Sequence, residues 1–352
     1  MYLGGHVEQC DTCGSRQTLY NSCRNRHCPK CQALPKARWL EARRAELLPT
    51  AYYHLVFTLP HAVNTIARCN QRLIYTLLFK AASQTLLTFG QKQLGGKLGF
   101  SGILHTWDQK LNYHVHLHCV VAGGVLSADA KRWIPASENY LFCVKAVSRM
   151  FRDKFIDYLQ QAYLSGKLVL AGQAKLWQNR QKFHNLCNKL WSKDWVVYAK
   201  QPFGGPKKVL DYLGRYTHRV AISNDRIIAA DNGSVIFTYR DRNDDHRLKQ
   251  ASMSANQFMR RFLLHVVPQN FMRIRHFGFL ANRCKKQLIG KYRCLLGLPA
   301  DLDEPASKNT RQLMLEMTGI DIENCPFCRK GRMQRIEKLP EFQTVSLIAL
   351  LN

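Results

Sequence analysis

The sequence predicts an α+β protein with a small metal-stapled module at its N-terminus and a mostly helical, basic C-terminal region. Three observations carry this expectation. Residues 10–32 hold two Cys-x-x-Cys knuckles, residues 102–121 read as a hairpin rich in histidine, and residues 142–166 read as one long amphipathic helix. The expected division is residues 1–46 for the module, 47–250 for a central domain and 251–352 for the C-terminal region.

The chain of 352 residues is long enough to bury a substantial core, and 46% hydrophobic with 22% charged residues is a globular composition. Its charge balance stands out: 52 Lys+Arg against 24 Asp+Glu give +28. The basic residues run along the whole chain with aromatics between them, which points to a polyanionic partner and favours nucleic acid over an anionic membrane. No apolar run approaches the roughly 18–20 residues that span a bilayer. "MYLGGHVEQC" lacks the charged-then-apolar pattern of a signal peptide, so the cytoplasm is the expected compartment. In that reducing setting thirteen cysteines point to metal rather than disulfides.

Cys10-x-x-Cys13 and Cys28-x-x-Cys31 are separated by residues 14–27. Two such knuckles supply four thiolates for a tetrahedral Zn²⁺, and four sulfurs leave no open position for catalysis. Cys23 and His27 are surplus; they substitute in this site or, with His6, form part of a second. Arg16, Arg24, Arg26 and Lys30 lie inside the cluster, where phosphate contact is expected. "KARWLEARRAELL" then reads as a connecting amphipathic helix ending near Pro49.

"GILHTW", "DQK" and "LNYHVHLHCVV" read as strand, turn and returning strand. Side chains alternate across a strand, so His114, His116 and His118 share one face while Val115, Leu117 and Cys119 take the other. A lone histidine is usually a packing residue, but three on one face are poor packing without a cation. The fold-back brings His105 beside His116 and His118; His114 and Gln109 are the other candidates for the third ligand. Three imidazoles with open positions suit catalysis better than a sealed structural site.

"FCVKAVSRMFRDKFIDYLQQAYLSG" carries Lys145, Arg149 and Arg152 on one side, facing either DNA or solvent. After Gly204, Gly205 and Pro206, "VLDYLGRYTHRV" reads as a helix with Tyr212 and Tyr216 one turn apart. Such pairs are usually half-buried packing residues. Here Lys208, Arg215 and Arg219 flank them while Val209, Leu213 and Val220 take the opposite side. "RDRNDDHRLKQASMSANQFMRRFLLHV" is read as the start of the helical C-terminal region. Cys325-x-x-Cys328 is a lone knuckle, either half of a degenerate ribbon or part of a site completed elsewhere in the chain. Cys69, Cys119, Cys143 and Cys187 are assigned to the core.

Together these pieces resemble the HUH superfamily of endonucleases, most closely the two-tyrosine rolling-circle transposases of bacterial insertion sequences. His116-Leu117-His118 matches the histidine–hydrophobe–histidine motif, "HLVFTLPH" the first strand motif, and Tyr212 with Tyr216 the tyrosine motif. "NSCRNRHCPKCQ" is similar to their zinc-binding module, and "FTYRD" and "RHFGFLANR" also look like this family. Such proteins usually have more residues before "LGGHVEQC", which implies a chain that begins late.

The resemblance implies a central antiparallel sheet carrying the histidine strand, with flanking helices. It also implies Mg²⁺ or Mn²⁺ on His105, His116 and His118, Zn²⁺ in the N-terminal module, and tyrosine nucleophiles at 212 and 216 that form 5′-phosphotyrosine links. The implied partners are single-stranded DNA, transposon ends, target DNA and a host helicase, with Lys208, Arg215, Arg219, Arg24, Arg26 and Arg149 on the DNA and the nucleoid as the place of action. A rolling-circle replication initiator of a plasmid or phage, and a non-catalytic zinc-dependent DNA-binding regulator, are the alternatives. The zinc module and C-terminal region argue against the first; the histidine strand and paired tyrosines argue against the second.

Overall fold

A computed structural model of the chain describes residues 3–25, 27–28, 31–137, 141–200, 208–209, 214, 221–241, 244–295, 297–300 and 308–341. In chain order these begin with β1 (Gly5–Cys10), β2 (Arg16–Tyr20), α1 (Ala33–Glu46), β3 (Tyr52–Thr58), α2 (Asn64–Cys69) and α3 (Gln71–Leu94). The hairpin β4 (Gly96–Trp107) and β5 (Tyr113–Ser127) follows, then β6 (Trp133–Pro135), α4 (Val144–Leu164), α5 (Arg180–Trp191) and β7 (Val197–Lys200). Next come β8 (Ile227–Asp231), β9 (Ser234–Asp241), β10 (Arg247–Ser254), α6 (Ala255–Leu263), β11 (Ile274–Gly278), α7 (Lys285–Leu295), α8 (Thr310–Thr318) and β12 (Met333–Leu339).

The chain divides into two compact units, residues 43–302 and residues 1–42 with 303–352. In the larger unit a wholly antiparallel sheet runs β11-β4-β5-β3-β7, with β6 paired to β5. Period-2 alternation gives this sheet two different faces. One carries Leu55, Phe57, Phe100, Leu104, Val115, Leu117, Cys119 and Val121, all buried. Helices α3 and α4 cover it. In α4 the buried Val147, Phe151, Phe155 and Leu159 recur every four residues, the spacing of one helical stripe. Helix α3 ends where Gly95 turns left-handed at φ +74°.

A second sheet, β10-β9-β8, packs with Leu111, Ala221, Ile222 and Phe237 in a small cluster of its own. Phe258 and Phe262 of α6 close over it, and Ser254 caps α6 by accepting from the Gln257 N–H at 3.2 Å. The stretch after residue 240 is therefore not simply helical. Its polar–apolar alternation makes β10 first, and β11 becomes an edge strand of the central sheet against β4.

In the smaller unit β1 lies between β12 and β2. Residues 308–341 thus join the N-terminal module instead of continuing a C-terminal domain, because the edge of β1 takes β12 as its partner. Helix α1 begins at Ala33, with Pro35 in the first turn where its missing N–H costs nothing. Asn309 caps α8 in a reciprocal pair with Gln312. Among the described residues no helix is long and apolar enough to cross a membrane.

Candidate metal centres

The face of the central sheet turned away from α3 and α4 is lined with histidines. Register sets His105 directly across from His116, and Ile103 from His118. The ligand atoms of His105, His116 and His118 all lie within 4.8 Å of one another, and all three residues are buried. His105 and His118 ring centroids are 4.4 Å apart, and those of His116 and His118 4.8 Å.

Hydrogen bonds orient the rings. The His116 Nδ1–H donates to the His114 carbonyl at 2.9 Å, so Nε2 is the nitrogen that can serve as a ligand. His118 Nδ1 bonds His54 Nε2 at 2.9 Å, with the two rings stacked. His105 stacks on Trp107 at 4.5 Å. A histidine ligand held through its second nitrogen is a usual device of metal sites. The donor set therefore fits a divalent cation.

His54 was not singled out as a site residue in the sequence. It stands on β3, opposite Val120, so its meeting with His118 is a cross-strand diagonal. Its only local signal is that it alternates with the apolar Leu55 and Phe57. His114 shares the face but stays outside the group of three; its ring lies 4.9 Å from His116 and 5.6 Å from His61. Both His61 and His114 border an open polar hollow of about 340 Å³, with Asp108, Gln109, Lys110, Asn112, Tyr239, Arg240 and Asp241 around it. Gln109 borders this hollow.

The cysteines group differently from the expected Cys10, Cys13, Cys28, Cys31 set. Cys10 and Cys13 converge with Cys325 and Cys328, while Cys28 and Cys31 converge with Cys23. The correction has a topological cause: the pairing of β1 with β12 carries residues 325–333 to the Cys10 turn. In the second group Cys23 and Cys31 sulfurs are 3.3 Å apart. The Ser22 hydroxyl donates to the Cys31 sulfur at 3.0 Å and holds that thiol down to about 6.

His6 does not join either group; its Nε2 pairs with Glu8 at 3.0 Å. His27 also stands outside them, its Nδ1 3.1 Å from the Asn25 amide oxygen. Of the isolated cysteines, Cys119 and Cys187 are buried but Cys69 and Cys143 are exposed, so only two of the four belong to the core.

Tyr212, Tyr216, Arg215, Arg219, Arg26 and Lys30 lie outside the described residues. Lys208 is helical and exposed, and Arg24, Lys145 and Arg149 are exposed as well. Arg152 is half-buried and pairs with Asp153 at 2.9 Å.

Comparison with known proteins supplies independent findings. A family profile described as "Putative transposase" matches residues 99–287, and one described as "Transposase zinc-binding domain" matches residues 1–59. "Putative transposase y4qJ" of Sinorhizobium fredii (strain NBRC 101917 / NGR234) is 47% identical over 339 residues, covering 95% of this chain and 85% of its own length. "Transposase for insertion sequence element IS801" of Pseudomonas savastanoi pv. phaseolicola is 30% identical over 297 residues, 80% of this chain and 68% of its own. No solved structure matches the chain significantly.

Proposed function

Because the chain belongs to this family of insertion-sequence transposases, with a transposase zinc-binding domain at its N-terminus, we propose that it cuts and rejoins single-stranded DNA through tyrosine-linked intermediates. The observation that carries the proposal is the convergence of His105, His116 and His118 on one face of the central sheet. It fits the HUH type of endonuclease that the sequence resembles.

Mg²⁺ or Mn²⁺ held by those three imidazoles would supply Lewis-acid polarisation of a phosphodiester. The chain's own residues do the rest. A hydroxyl of Tyr212 or Tyr216 attacks phosphorus, a phosphorus–tyrosine oxygen bond forms and the bond to the 3′ oxygen breaks. The tyrosine proton ends on the departing 3′ oxygen. Attack by a 3′-hydroxyl on the tyrosine-linked phosphate reverses both changes and joins the strands, so no nucleotide hydrolysis is needed. Arg215 and Arg219 favour the phenolate of a residue whose ordinary pKa is about 10. His54 and the His114 carbonyl keep His118 and His116 oriented. Two tyrosines allow a second cleavage while the first 5′ end is still held, as rolling-circle transposition requires. Lys208, Arg24 and Arg149, all exposed, provide phosphate contacts.

The test is incubation with labelled single-stranded oligonucleotides and Mn²⁺, followed by denaturing electrophoresis. Wild type and each single variant, Tyr212→Phe and Tyr216→Phe, should yield a denaturation-resistant adduct, and the double variant none. His116→Ala with His118→Ala should abolish cleavage while leaving most DNA affinity. Normal cleavage by that double alanine variant would overturn the reading. DNA binding with no cleavage by wild type would favour the regulator instead.

A further inference from the structure

We propose that one Zn²⁺ is bound by Cys10, Cys13, Cys325 and Cys328, and that it fastens β12 to β1. The zinc module is then assembled from two segments far apart in sequence, one of them beyond the residues 1–59 that the zinc-binding profile matches.

Geometry carries the proposal. Sulfurs held about 2.3 Å from one ion at tetrahedral angles lie about 3.8 Å apart. The Cys10–Cys328 and Cys13–Cys325 sulfurs are each 3.7 Å apart, and all four fall within one 4.8 Å group. That is far beyond the about 2 Å of a disulfide.

The two knuckles repeat one backbone turn. The Gly14 N–H donates to the Cys10 carbonyl at 3.1 Å, and the Arg329 N–H to the Cys325 carbonyl at 2.9 Å. Both Gly14 and Arg329 adopt left-handed conformations, at φ +71° and +59°. Amide donors point at sulfur in each: Thr12 and Cys13 N–H at Cys10, and Gly331 N–H at Cys328, at 3.4 to 3.5 Å. Such donors favour thiolates, the form that binds metal. Gly331 closes the site, because a Cβ there would meet the Cys10 sulfur, Asp11 Oδ1 and Thr12 Oγ1 at 2.5 Å.

The unit also needs a ligand to fold. Its described hydrophobic side chains are fully buried only at Cys10, Leu313 and Cys325. A segment without an apolar core draws folding energy from structural metal, as small zinc modules do. Four sulfurs in tetrahedral array suit Zn²⁺ or iron; a site built only to fasten strands has no use for redox chemistry, which selects zinc.

The experiment is metal analysis of the full-length protein. The paired variant Cys325→Ser/Cys328→Ser should lose one equivalent of zinc relative to wild type. Cys10→Ser/Cys13→Ser should lose the same one, and the quadruple variant no more than either pair. Wild-type zinc content in the Cys325/Cys328 pair, loss of two equivalents in the quadruple, or iron in place of zinc would each overturn the proposal. Alkylation of the wild-type protein avoids any failure of variants to fold. Under reducing conditions Cys10, Cys13, Cys325 and Cys328 should resist iodoacetamide together and become reactive together on chelation. Cys325 and Cys328 reacting as fast as the exposed Cys294 while zinc is retained would refute the clasp.

Discussion

Between residues 43 and 302 the chain completely buries Phe57, Phe79, Phe100, Phe151 and Phe155 in one continuous cluster. Among its described residues the unit of residues 1–42 and 303–352 has nothing comparable, and it exposes Leu19, Tyr20, Ile320 and Phe327. Apolar burial of about 25 cal/mol per Å² is enough to hold the first together. The second has strand pairing and, on the proposal above, a metal held by its thiols. The larger unit can therefore place histidines on one sheet face, since the opposite face supplies the main core cluster. In the smaller unit the cysteines proposed as metal ligands would also fasten the strands.

The largest expected effect breaks this comparison directly. Stripping metal with a strong chelator should abolish hydrogen-exchange protection of β1, β2 and β12 while β3, β4 and β5 keep theirs. Phe57→Ala should do the reverse, costing the larger unit about 3–5 kcal/mol and leaving zinc content unchanged. Equal loss of protection in both units after chelation would refute the separation.

A smaller effect sharpens the contrast between the imidazole and thiol sites. His54→Ala removes the hydrogen bond to His118 and should weaken Mn²⁺ binding at the imidazole group about 10- to 100-fold. Titration calorimetry would measure this, and cleavage should recover at high Mn²⁺. Unaltered Mn²⁺ affinity would show that His54 only packs.

The smallest effect is on pH dependence. His265 is fully buried, with its Nε2–H donating to the Leu111 carbonyl at 3.2 Å, and burial pushes its pKa down to about 4. Burial, with repulsion from Arg43 and Lys285, also lowers His276 to about 4. In the unfolded chain both titrate near 6.5. Between these values the unfolded state binds more protons, so stability is fully present above about 6.5 and declines as pH falls toward 4. Exchange protection of β4 and β5 should be lower at pH 5 than at pH 7, and His265→Gln should flatten the slope. Identical protection at both pH values would contradict these depressed values.

Part of this molecule was legible in single residues and their spacing. Alternation alone places His116 and His118 on one face and Val115, Leu117 and Cys119 on the other, because a strand has a period of two. The turn at residues 108–112 brings His105 back beside them for the same local reason. The amphipathic stripe of α4 is likewise local, set by recurrence every four residues.

Tertiary structure decided what depends on partners distant in sequence. His54 meets His118 only because β3 pairs with β5, and no property of residue 54 names that neighbour. The segment 274–278 became a sheet edge because β4 had an open side. Cys10-x-x-Cys13 suits any second knuckle, and Cys28-x-x-Cys31 was the nearer candidate along the chain. Spacing specifies which residue types can share a metal but not which pairs meet. Here the pairing of β1 with β12 brought Cys325 and Cys328 to Cys10 and Cys13, and backbone hydrogen bonds between strands so distant in sequence leave no local trace in it.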